Sequence, residues 1–180
     1  MNERRGEEPA VLALVGLRCS GKSTVGRALA ARTGARFVDL DEAVAAAAGA
    51  ASAAEVIEAR GLEAFRDLEE ATLAGVLESA TEPTVLATGG GTVERQASRE
   101  RLRSRARVVW LRAPLAELRA RMEADRSTDR PRITDGDEDE FIFLERRRAP
   151  HFEALADEVV EVAGRAPDDL AAALDGTWPR

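Results

Sequence analysis

Residues 16–24 of this chain read GLRCSGKST, which is the spacing G-x-x-x-x-G-K-[ST] of a loop built to hold phosphate. Each position has a physical job. Gly16 and Gly21 let the backbone curl until successive N–H groups face an anion. The Lys22 ammonium reaches the β- and γ-phosphates, and the Ser23 hydroxyl can ligate Mg²⁺. Lys22 is also the chain's one lysine, although lysine and arginine together number 26. A sequence that otherwise uses arginine has kept a compact ammonium where a planar guanidinium would not substitute. The loop from Gly16 through Cys19, Ser20, Gly21, Lys22, Ser23 and Thr24 is therefore the candidate nucleotide-phosphate site. Cys19 reads either as a filler position or as a thiol drawn toward thiolate by Lys22 and a helix N-terminus.

Other residue types with chemical use cluster at a few points. Asp39 and Asp41 bracket Leu40 at the end of the short apolar run RFVD (36–39); they read as a carboxylate pair or as turn and N-cap residues. Gly89, Gly90 and Gly91 follow the apolar run TVLA (84–87) directly. Three consecutive glycines cost backbone entropy, so they are read as a place that something must approach closely. Residues 124–138, ADRSTDRPRITDGDE, are polar, proline-broken and carry three arginines, a composition that reads as a mobile lid.

These pieces need a scaffold. Val11–Val15, 36–39, 84–87, 108–111 and 158–162 are apolar runs of strand length. Between them lie segments with helical spacing: 23–33, two short helices broken near Gly49, 63–79, 98–105, Pro114 to about Met122, 139–155 and 167–174. The alternation predicts an α/β fold of three α/β/α layers, the P-loop NTPase arrangement, with a five-stranded parallel sheet and helices on both faces. In such sheets ligands bind at the C-terminal edge of the strands. Ser52 followed by Glu55 is a capping-box pattern.

Length and composition set bounds. The 180 residues are 44% hydrophobic, enough for one core, so 1–180 is expected to be a single domain with a flexible stretch at 1–9. A net charge of -7 and a pI near 5.0 disfavour nucleic acid or an anionic membrane as partner. The charged N-terminal stretch MNERRGEEPA is neither signal peptide nor membrane span. One cysteine fits a reducing compartment, and a cytoplasmic monomer is expected.

The motifs together resemble the shikimate kinases, a family of small P-loop kinases, from about Val11 to Val162. The resemblance is carried by GLRCSGKSTVGRALA (16–30), FVDLDEAV (37–44), GLEAFRDLE (61–69), ATGGG (87–91), VVWL (108–111), DRP (129–131) and RRAPHFEALAD (147–157). It implies ATP with Mg²⁺ as cofactors and shikimate as the small-molecule acceptor, phosphorylated on its 3-hydroxyl. It implies that Lys22, Asp41 and Arg130 are catalytic, Asp41 acting as base toward the acceptor hydroxyls, and that Ser23 and Asp39 hold the metal. Arg66 and Arg148 would grip the acceptor carboxylate over Gly89, Gly90 and Gly91, with Glu69 holding Arg66 from behind. Arg130 would reach the phosphates and Arg126 the adenine side. The chain differs from the family pattern at Ile57, Leu62, Arg132, Ile133 and Phe152, and in the acidic run 135–140.

Read without the resemblance, Arg66 and Glu69 form an ordinary surface ion pair, and Arg146 and Arg147 a solvated helix end. His151, the one histidine, reads as an exposed, unspecialised ring. Two other functions fit the motifs: a gluconate-type sugar-acid kinase, and a silent sensor that binds ATP or shikimate without turnover. A GTPase switch is disfavoured because no N-K-x-D motif occurs.

Overall fold

The computed structural model describes residues 10–124 and 139–176. The expected lid, with Arg126 and Arg130, therefore lies outside the described residues except for Ala124, as does the stretch 1–9.

The chain runs β1 (Val11–Val15), α1 (Lys22–Thr33), β2 (Arg36–Asp39), α2 (Leu40–Ala48), α3 (Ala53–Arg60), α4 (Leu62–Ser79), β3 (Thr84–Ala87), a 3-10 turn (Thr92–Glu94), α5 (Gln96–Arg105), β4 (Ala106–Arg112), α6 (Leu115–Ala124), α7 (Glu140–Leu155), β5 (Glu158–Glu161) and α8 (Pro167–Asp175). The five strands lie in the order β2-β3-β1-β4-β5 and every pair is parallel. Parallel neighbours need crossovers, which the helices supply.

β1 is central, and its five residues are all buried. Val11, Ala13 and Val15 face a core completed by α2, α3, α4, α5 and α7 through residues such as Val44, Val56, Phe65, Leu73, Leu102 and Leu144. Leu12 and Leu14 face the other layer, where Val25 and Leu29 of α1 meet Leu170 and Leu174 of α8. Strand period two thus delivers side chains to both layers, which is why β1 reads as an unbroken apolar run. Registers Leu14↔Ala87 and Asp39↔Ala87 bring the ends of β1, β2 and β3 side by side. The loops that follow these three strands share one edge.

Several boundaries differ from the sequence reading. α2 begins at Leu40 because the Asp39 carboxylate accepts hydrogen bonds from the N–H groups of Asp41 and Glu42; Asp39 alone is the N-cap, and Asp41 sits inside the first turn. Ser52 does cap α3, accepting from Glu55 N at 3.2 Å, but the Glu55 carboxylate reaches back to Ala51 N rather than to Ser52 N. β4 is longer than expected, since Ala106 and Arg107 pair with Val11 and Leu12. The buried face of α4 is Phe65, Arg66, Glu69, Leu73 and Leu77, so two charged residues occupy its inward stripe. Leu68, Thr72 and Val76 are only half-buried there. α7 starts at Glu140 on an Asp139 cap and continues through Pro150.

Candidate active site

The phosphate loop joins β1 to α1 and is shaped by unusual backbone angles. Gly16 has φ 146° and Gly21 φ 93°, both reserved for glycine, and a Cβ at Gly16 would come within 2.6 Å of the Leu111 carbonyl. Cys19 also has positive φ, at 62°, an uncommon conformation for a side-chain-bearing residue and one that marks a loop held by its surroundings. The Lys22 ammonium donates to the carbonyls of Gly16 at 3.0 Å and Leu17 at 2.8 Å, which bends it back over the loop. The guanidinium of Arg121, on α6, donates to the Cys19 carbonyl at 3.1 Å.

Next to the loop, Ser23 Oγ donates to Asp39 Oδ2 at 2.5 Å, while Asp39 Oδ1 caps α2. One carboxylate thus caps α2 and meets the Ser23 hydroxyl. Loop, serine and aspartate line a cleft of about 250 Å³ together with Arg18, Asp41, Thr88, Gly90 and Met122. Its lining suits an Mg-nucleotide: the glycine-bent loop, the Lys22 ammonium, the hydroxyls of Ser23 and Thr24, and the Asp39 and Asp41 carboxylates. Among the described residues no three His, Cys, Asp or Glu side chains gather into a metal cage. Mg²⁺ takes most of its ligands from phosphates and water and does not need such a cage.

The second half of the site is built on the glycine turn after β3. Thr88 anchors it, its N–H and its hydroxyl both donating to the Leu14 carbonyl. Each glycine then leaves room for a particular group. A Cβ at Gly89 would lie 2.3 Å from Glu69 Oε1 and 2.7 Å from Asp41 Oδ1; at Gly91, 2.0 Å from Arg66 Nη2; at Gly90, 3.3 Å from Arg18 N and 3.5 Å from Arg148 Nη1. Asp41, Arg66 and Arg148, far apart in sequence, converge here.

The arginines are buried and each is tied to a carboxylate. Arg66, 7% exposed, donates to Glu69 at 2.6 Å, and Glu69, 1% exposed, also accepts from the Thr92 hydroxyl at 2.6 Å. Burial pushes the Glu69 carboxyl above its ordinary range, against the lowering effect of Arg66 and Thr92. The surface-pair reading of Arg66 and Glu69 is therefore overturned. Arg148, 2% exposed, donates from Nε to Glu94 Oε1 at 2.6 Å. Arg147 is exposed, as expected of a solvated helix end, and from there pairs with the other Glu94 oxygen at 2.8 Å. A third buried pair joins Arg18 of the phosphate loop to Glu140, the first residue of α7. The arginines of these pairs lie close enough for Arg66 and Arg18 to oppose the charge on Arg148, whose pKa burial already lowers. Two buried guanidiniums, Arg66 and Arg148, held in fixed orientations at one glycine turn suit recognition of an anionic acceptor.

Residues 18–175 match the family model described as Shikimate kinase. The chain belongs to the shikimate kinase family. A shikimate kinase of Nitratidesulfovibrio vulgaris is 41% identical over 94% of this chain and 98% of its own length. Another, of Nitrobacter winogradskyi, is 44% identical over 70% of this chain, which spans 56% of that relative. Among solved structures, shikimate kinase from Acinetobacter baumannii in complex with shikimate superposes with a TM-score of 0.83 at 32% identity, covering 93% of this chain and 90% of that one. A gluconokinase of Sinorhizobium meliloti shares the fold at a TM-score of 0.61 and 21% identity. Family membership carries ATP use and a small-molecule acceptor with it, and favours shikimate kinase over the gluconate-type alternative.

At this site sequence reasoning missed Arg18, Thr88, Thr92, Glu94, Arg121 and Glu140. Thr92 and Glu94 follow the triple glycine and could have been sought there; Arg18 and Glu140 are separated by 122 positions and carry no local signal. Phe152 is core, stacked at 5.6 Å on Trp110, and His151 is half-buried with its pKa lowered by burial and by Arg99.

Proposed function

We propose that the chain transfers the γ-phosphoryl group of ATP to the 3-hydroxyl of shikimate, giving shikimate 3-phosphate and ADP, in the biosynthesis of aromatic amino acids. One observation carries the reading: two buried guanidiniums, Arg66 and Arg148, meet the Asp41 carboxylate at a single glycine turn beside the phosphate loop. That is the complement of a ring bearing hydroxyls on one side and a carboxylate on the other.

In this reading Asp41 accepts the proton of the attacking hydroxyl, a step worth about 10²- to 10⁴-fold when the base is well placed. Lys22 leaves its carbonyl partners for the β/γ-phosphates, where a fixed cation offsets charge as it develops. Ser23 and Asp39 would hold Mg²⁺, which would offset the charge of the phosphates. Arg66 and Arg148 orient the acceptor through its carboxylate, and Gly89, Gly90 and Gly91 give the ring a surface without side chains. Arg130 is assigned to the phosphates and Arg126 to the adenine side on the resemblance of the segment 124–138 to the family lid.

The acidic pI and single cysteine support a cytoplasmic monomer that works on small molecules. Among the described residues no helix is long and apolar enough to cross a membrane. A coupled ADP-release assay with ATP, Mg²⁺ and a panel of shikimate, quinate, gluconate and nucleoside monophosphates tests the function. Shikimate should dominate the panel; preference for gluconate, or binding without ADP release, would contradict it.

A further inference from the structure

Arg148 has 2% of its surface exposed, and a guanidinium so buried needs a fixed counter-charge to keep one rotamer. Its counter-charge comes from outside α7. Glu94, at the end of the 3-10 turn that follows the glycines, accepts from Arg148 Nε at 2.6 Å, and Arg148 Nη2 stands 2.6 Å from the same oxygen but out of line for a hydrogen bond. The Nε side of the guanidinium is thus occupied, while Nη1 faces Gly90 and the buried Nη2 keeps an unused N–H.

The carboxylate that does this is itself braced. Glu94 N donates to the Gly91 carbonyl at 2.9 Å, and Arg99 Nη1 donates to the carbonyls of Val93 at 2.6 Å and Glu94 at 3.0 Å. Arg147 holds the second oxygen. Burial alone would raise the Glu94 carboxyl, but Arg148, Arg147 and Arg66 outweigh it and keep it ionised below its ordinary range.

Resting on the function proposed above, we propose that Glu94 is the positioning residue of the acceptor site: it holds the Nε and Nη2 side of Arg148 so that Nη1 is the nitrogen presented at the glycine turn, as Glu69 fixes Arg66. The acceptor carboxylate then meets Arg148 through Nη1, and the grip on it is set by the 3-10 turn rather than by α7 alone. The Glu94 carboxylate is bonded to Arg148 and Arg147, so its effect belongs to acceptor binding.

Steady-state kinetics of Glu94→Gln, with shikimate and ATP varied in turn, test this. A charge-assisted hydrogen bond is lost, so KM for shikimate should rise about tenfold to a hundredfold while KM for ATP stays within about twofold and kcat falls much less. Glu94→Asp, which keeps the charge on a shorter arm, should recover part of the loss and keeps the test open if the glutamine variant does not fold. In an Arg148→Ala background, Glu94→Gln should add little, since the residue it positions is gone. An unchanged KM for shikimate, equal rises in both KM values, or full additivity with Arg148→Ala would overturn the proposal. If the unmodified enzyme does not phosphorylate shikimate, the functional reading fails instead, and the two failures are told apart by that control.

Discussion

Lys22 donates to two carbonyls of its own loop, so its role is stored in geometry rather than in core packing. Lys22→Ala should leave circular dichroism and thermal unfolding near those of the unmodified protein and cut turnover about a hundredfold or more; near-normal ATP-dependent activity would remove the loop from the mechanism. Asp41→Asn keeps shape and loses basicity, and kcat should fall about 10²- to 10⁴-fold with ATP affinity little changed. Acid titration separates the two supporting carboxylates. Burial raises Glu69 above 4.5, whereas Glu94 is held below it. As pH falls, Glu69 takes up its proton first and its hold on Arg66 weakens, while Glu94 stays charged until lower pH. For Glu69 the native state binds the proton more tightly than the unfolded chain, so this uptake raises stability even as the site loses grip. The acid limb of kcat/KM for shikimate should therefore be flattened in Glu69→Gln and kept in Glu94→Gln; the opposite pattern would contradict the assignment.

At the scale of elements, the glycine turn makes a graded prediction. A methyl at Gly91 or Gly89 would strike the ends of Arg66 or of Glu69 and Asp41, at 2.0 to 2.7 Å, whereas at Gly90 its nearest neighbour is at 3.3 Å. The struck atoms are side-chain tips, so Gly89→Ala and Gly91→Ala should fold and lose most use of shikimate, with Gly90→Ala much milder. An assay series that ranks Gly90→Ala worst would argue that the turn serves some other purpose. The turn's importance was legible, since three glycines in a row have few uses, but its reason was not: none of the three has positive φ, and what they provide is space. The phosphate loop was legible for the opposite reason, because its chemistry is local and written in one stretch. α4 shows where pattern misleads. Arg66 and Glu69 three residues apart look like a surface pair, and only the packing of α4 against the glycine turn buries them.

At the scale of the molecule, the strand order puts β1 between β3 and β4, and that placement brings the phosphate loop beside the glycine turn. Alternation of strands and helices predicted a parallel sheet covered on both faces but not the order of its strands, because every crossover here is compatible with several orders. The same limit hid Arg18 with Glu140 and Arg148 with Glu94, pairs 122 and 54 positions apart. In the proposed function those pairs, with Arg66, make one end of the sheet a trap for the acceptor carboxylate. Comparing kcat/KM for shikimate and its methyl ester, in the unmodified enzyme and in Arg148→Ala, tests this most directly. The ester keeps every hydroxyl and lacks the charge. Losing one partner of a buried ion pair costs about 3 to 5 kcal/mol, so the ester should be poorer by about a hundredfold or more in the unmodified enzyme, and by little in the variant. Equal use of ester and free acid by the unmodified enzyme would contradict the carboxylate grip and, with it, the choice of shikimate.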